Sequence, residues 1–181
     1  MRLRKFALLA GLAMFTLPMM ADTIYTYTGN PLTFAIQPYT TSNFLSGSFT
    51  VASPLANNLA GVTIAPLFFS FGDGVQTIDS GNGTDDFFSF STDANGNIVG
   101  WLLGLDIVKN GEITREIFTS GYLGDGLDEG VLIGLTEVGA YDLSAPGSWT
   151  SAVTPEPSTL LLLGTGMLGM VGAARRRFAR P

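Results

Sequence analysis

The chain has 181 residues, 46% of them hydrophobic and only 13% charged, a composition too apolar for intrinsic disorder and sized for one packed domain with membrane-directed ends. Its basic residues gather near the two ends, so the stretch from Asp22 to Pro157 sets only Lys109 and Arg115 against all fifteen carboxylates, a formal charge of −13. That charge excludes nucleic acid as a partner, and the absence of Cys and His excludes disulfides, Ser-His-Asp triads and thiolate or imidazole metal sites.

Residues 1–21 read as a secretory signal helix. Arg2, Arg4 and Lys5 form the charged start, Phe6 to Leu17 an apolar run of twelve, and Pro18 to Ala21 a breaker ending in a small residue. A run of that length is too short to span a bilayer. Cleavage is expected after Ala21, although Met19 stands where a small residue is usual.

Residues 22–153 show short alternating runs separated by Gly, Asn, Pro and Asp, with no helical periodicity. Strands are expected at Thr23 to Thr28, Leu32 to Ile36, Ser46 to Val51, Leu67 to Phe71, Val75 to Asp79, Asp86 to Ser91, Ile98 to Val108, Ile113 to Thr119, and around Val131 to Val138. The fold class is therefore all-β, an antiparallel β-sandwich of jelly-roll-like type.

The best-defined unit is Ile98 to Thr119. Val99, Trp101, Leu103, Leu105 and Ile107 share one face of a strand, and Asn110-Gly111 supplies the positive φ of a type I′ hairpin. The resulting register sets Lys109 opposite Glu112 and Asp106 opposite Arg115. It also sets Glu116 on the Leu105 face, a conflict that predicts a break in register nearby.

Only carboxylate chemistry is left. Asp93-Ala94-Asn95-Gly96-Asn97 imitates the start of a calcium loop, but Ile98 and Gly104 occupy the positions of the required glycine and bidentate acid, so a turn is expected. Asp125, Asp128 and Glu129, and the pair Asp85-Asp86, could hold Ca²⁺ with backbone oxygens; a solvated acidic loop is the blander reading. Tyr25, Tyr27, Tyr39, Tyr122 and Trp149 could pack against sugars, although half-burial in a sheet explains the tyrosines more simply.

Thr154-Pro155-Glu156-Pro157 opens the last segment. Each proline bars the residue before it from helical geometry, which keeps this stretch extended. Residues 158–174 follow without a charge, and a helix of that length covers roughly 25 Å, enough for a short transmembrane span. Arg175, Arg176 and Arg177 would anchor its end in the cytoplasm and leave the acidic domain outside. Gly164-Thr165-Gly166-Met167-Leu168-Gly169 matches a dinucleotide-binding pattern, but no strand precedes it and no acid follows. Small residues there suit helix packing in a membrane.

The order of Pro155-Glu156-Pro157, a glycine-containing apolar helix and an arginine cluster closely resembles the PEP-CTERM sorting signal, a segment also labelled the ice-binding protein C-terminal domain. The resemblance covers residues 154–181 and implies recognition by an exosortase in the inner membrane of a Gram-negative, exopolysaccharide-producing bacterium. It implies processing near Pro155-Glu156-Pro157 and release to the cell surface or matrix. The leading functional expectation is thus an exported, non-catalytic surface or matrix protein needing no cofactor. The alternatives are a Ca²⁺-assisted module binding exopolysaccharide and a carboxylate-dependent polysaccharide hydrolase, for which fifteen acids without a motif single out no catalytic pair.

Overall fold

A computed structural model describes residues 21–122, 126–133, 138–143, 147–154, 164–166 and 169–170. Two compact units emerge, one from Asp22–Thr154 and one from Met1–Ala21 with Pro155–Pro181. The first is all-β. Its strands are β1 (Thr23–Pro31), β2 (Phe34–Ala35), β3 (Phe44–Val51), β4 (Val62–Thr63), β5 (Phe68–Gly72), β6 (Thr77–Asp79), β7 (Thr84–Thr92), β8 (Ile98–Lys109), β9 (Glu112–Ser120), β10 (Leu127–Leu132), β11 (Val138–Leu143) and β12 (Ser148–Val153).

One sheet has the order β12-β1-β3-β5-β6 and the other β2-β11-β10-β9-β8-β7-β4, with every neighbouring pair antiparallel. A jelly roll deals successive strands to alternate sheets. Here β1 to β5 alternate, but β7 to β11 run consecutively in one sheet as an up-and-down meander. The jelly-roll likeness is confined to the first five strands.

Alternation along each strand builds the core between the sheets. Tyr25, Tyr27, Phe49, Phe69 and Phe71 face Phe88, Phe90, Trp101, Leu103, Leu105 and Ile117. The centre is aromatic: Phe49 stacks on Tyr25 at 5.1 Å and on Phe90 at 4.8 Å, and meets Trp149 of β12 edge-on at 5.5 Å. Each fully buried ring contributes about 1.5–3 kcal/mol from the area it removes from water, with further gain from ring geometry.

The β8–β9 hairpin turns through Asn110 at φ 57° and Gly111 at φ 84°, the pair of positive values that a type I′ turn requires. Lys109 pairs with Glu112 as the sequence predicts, but the register shifts between Ile107 and Val108. A bulge there leaves Thr114 as the extra residue, and its hydroxyl caps the irregularity by donating to the Ile107 carbonyl at 2.9 Å. Arg115 consequently lies opposite Ile107, and Asp106 lies opposite Glu116 rather than Arg115. The same shift resolves the conflict in the uniform register, because it puts Ile117 opposite Leu105 and buries both. A second irregularity, where Ser91 pairs with Gly100 and Thr92 with Ile98, turns Val99 outward to 57% exposure, against the expectation that it would share the Trp101 face.

Candidate functional site

Three parts of the protein bear on function: the end of β12, the buried acid Asp128, and two hollows around Arg115. β12 zips onto β1 from Thr23 against Val153 to Thr28 against Ser148. Its continuation, Pro155, Glu156 and Pro157, lies outside the described residues, as do Arg175, Arg176 and Arg177. Of the expected span, residues 164–166 and 169–170 are described and helical. Among the described residues no helix is long and apolar enough to cross a membrane.

Asp128, expected in an acidic loop, is instead part of β10, and successive strand residues face opposite sides. Asp128 points inward and is buried, whereas Glu129 belongs to the other face, so the two do not converge on one ion; Asp125 lies outside the described residues. Among the described residues no three Asp or Glu side chains group to hold a metal. Asp85 and Asp86 sit at a bulge in β7, exposed.

What surrounds Asp128 is a hydrogen-bond network. Its Oδ1 accepts from the Tyr27 hydroxyl at 2.7 Å and from Thr119 Oγ1 at 2.6 Å, while Thr119 accepts from Trp101 Nε1 at 2.9 Å. Tyr27 in turn accepts the Gly147 amide at 2.9 Å. Oδ2 of Asp128 and Oδ2 of its cross-strand partner Asp142 are both buried and have no hydrogen-bond partner among the described residues. Burial above all, and then the Asp142 charge, push the Asp128 carboxyl up to about 6 against the pull of its two hydrogen bonds. Burial and the Asp128 charge likewise push the Tyr27 phenol up, so it remains a donor. Neither acid of this pair lines either of the two hollows at Arg115.

A second acidic row crosses the outer face of the larger sheet. The carboxyls of Asp106 and Glu116 are both pushed up, first by burial and then by neighbouring acids: Asp86 acts on Asp106, and Asp106, Glu129 and Asp86 act on Glu116. By contrast Asp93 accepts the Asn97 side-chain and backbone N–H groups at 2.9 Å and the Asn95 amide at 2.8 Å, which holds its carboxyl below the usual range. The stretch from Asp93 to Asn97 is thus a turn, with Gly96 at φ 83°.

The aromatic residues singled out from the sequence are mostly inside. Tyr25, Tyr27 and Tyr39 are buried, Trp149 packs against the core, and Tyr122 is half-buried with its hydroxyl 3.4 Å from Ser91 Oγ. The rings left in the open include Phe34, Phe44, Phe68 and Phe87.

Both cations of the domain lie at hollows. Lys109, Arg115, Pro38, Thr114, Leu132 and Val138 line one of about 360 Å³. Arg115 also lines a second, of about 440 Å³, with Ser42, Asn43, Phe44, Gln76 and Thr77. These residues come from the approach to β3, the β5–β6 turn and β9, segments far apart in the chain. No local motif announces them; the one signal was the rarity of cations in so acidic a region.

A family model described as the PEP-CTERM protein-sorting motif matches residues 153–177. No curated protein and no solved structure matches the chain. The match begins at the last residue of β12 and covers the tripeptide, the apolar run and the arginine cluster that the sequence sets in order. The chain therefore carries a PEP-CTERM protein-sorting motif, which marks it as an exported protein sorted by an exosortase.

Proposed function

We propose that the protein is held in the inner membrane through residues 158–174, with Arg175, Arg176 and Arg177 on the cytoplasmic side. An exosortase cuts near Pro155-Glu156-Pro157, and the β-sandwich is delivered to the cell surface or extracellular matrix, where it acts as a non-catalytic structural or interaction component. One observation carries this reading. The folded unit ends at Thr154 and the matched motif begins at Val153, so a cut beyond Thr154 severs no strand from the sandwich.

Physical chemistry supports the same sequence of events. A protease needs an extended substrate, and the two prolines keep Thr154 and Glu156 out of helical geometry. The arginines oppose translocation of the far end. The sandwich, with no cysteine to oxidise, holds together through its aromatic core, and its negative charge keeps it soluble outside the cell.

Replacing Pro155-Glu156-Pro157 by three alanines in an exosortase-positive host tests the reading. The expected result is retention of the chain in the membrane fraction while the unaltered protein is released. Equal release of both forms would overturn it.

A further inference from the structure

We infer that the hollow between Phe44, Thr77 and Arg115 is a binding site for a carboxylated sugar, a uronate residue or a short oligomer of one. Between Asp22 and Pro157 fifteen carboxylates outnumber two cations, and cations so scarce would be expected to spread out among the acids and pair with them. Instead both line a single hollow, and Arg115 lines its larger neighbour as well. Among the described residues neither has a carboxylate within ion-pair distance. A guanidinium left open beside a hollow is a fork for a planar carboxylate.

The rest of the lining defines what carries that carboxylate. Phe44 is 43% exposed, a ring face on which the apolar side of a pyranose can pack. Ser42 and Thr77 bring hydroxyls and Asn43 an amide, the groups that read sugar hydroxyls. The Asn43 side chain is preset: its Oδ1 accepts from the Thr40 amide at 2.7 Å and the Thr40 hydroxyl at 3.0 Å. Its Nδ2 packs against Gly74, whose φ of +88° and missing Cβ leave the space. Gln76 is fixed behind the hollow, its Nε2 donating to Asp73 Oδ2 and to the Glu116 carbonyl, each at 2.9 Å. A site assembled this rigidly loses little entropy on binding.

The acidic surroundings set the size of the ligand. Long polyanions are repelled by the field of the whole domain, whereas a single carboxylate within a Debye length of Arg115 is held by the local charge. No metal takes part, and the inference stands whether or not the sorting reading holds.

The test is a titration of the full chain in mild detergent with a galacturonic acid trimer, followed by NMR or calorimetry, beside its methyl ester and acetate. The expected result is saturable binding of the acid trimer, with affinity about tenfold lower for R115Q, for F44A and for the methyl ester, as loss of a charged hydrogen bond or a buried ring implies. Arg115 and Phe44 are exposed, so neither variant should unfold, which an unchanged melting temperature verifies. Absence of saturable binding, equal affinity in R115Q, equal binding of the methyl ester, or acetate binding as tightly as the trimer would each overturn the inference.

Discussion

The backbone amide of Thr154 donates to the carbonyl of Asp22 at 2.8 Å. It closes the β1–β12 ladder, in which Thr23 faces Val153, and brings the expected signal cleavage point after Ala21 beside the start of the sorting motif. The two expected processing points therefore adjoin the outer ends of the same pair of strands.

A chain of residues 22–154 should fold alone, since the twelve strands among the described residues lie within it. Its thermal unfolding, followed by near-ultraviolet circular dichroism, is expected to be cooperative and within a few degrees of that of the longer protein. Truncation before Ser148 should abolish the transition, because it removes Trp149 from contact with Tyr27, Phe49 and Phe90. The single change Trp149→Ala should cost about 3 kcal/mol.

Asp128 predicts an unusual pH dependence. Its folded carboxyl titrates at about 6, above the ordinary 3.8, so the folded state binds a proton more tightly than the unfolded state. Stability from this group is absent above the folded value, grows as pH falls through it, and is complete below the unfolded value. Asp106, Glu116 and Glu129 are shifted in the same direction. The melting temperature should therefore rise on acidification from pH 7.5 to 5. Asp128→Asn should flatten that rise and stabilise the protein at pH 7.5 by about 1–3 kcal/mol, because it removes the charge that burial disfavours. A melting temperature that falls steadily over this range would contradict the assignment.

Thr119 joins two buried partners, accepting from Trp101 and donating to Asp128. The isosteric Thr119→Val leaves both short of a bond without opening a cavity. Chemical denaturation should show a loss of about 2–3 kcal/mol, well beyond the effect of the same change at a surface threonine.

Gly111→Ala isolates backbone conformation from packing. A Cβ there would meet nothing within 4 Å, yet φ is +84°. The expected cost is about 1 kcal/mol, all of it conformational. A neutral result would mean that the turn relaxes to another type, detectable as changed amide shifts at Asn110 and Glu112.

The β8–β9 hairpin was legible because its signals are local: Asn-Gly at the turn, and the alternation of Trp101, Leu103 and Leu105. The bulge that turns Val99 outward was not, since a bulge is chosen by how the whole sheet packs; the one that displaces Arg115 from Asp106 showed in the sequence only as the conflict that Glu116 makes on the Leu105 face. One expected strand around Val131 to Val138 proved to be the end of β10 and the start of β11. The strands β4 and β12 escaped notice, β4 for its two residues and β12 because its mostly exposed Ser148–Val153 has little alternation to read. The sorting motif was readable as a linear order of residue types. The hollow at Arg115 was not, because Asn43, Phe44, Gln76 and Thr77 reach it only through sheet pairing.

The central claim, that residues 153–177 direct exosortase sorting of a self-contained sandwich, is tested most directly by intact mass. The full chain is expressed in an exosortase-positive host and in a matched null strain, and membrane and released fractions are weighed. The account predicts a released species ending near Pro155 to Pro157 only when the exosortase is present. A full-length, membrane-bound chain in both strains would contradict it.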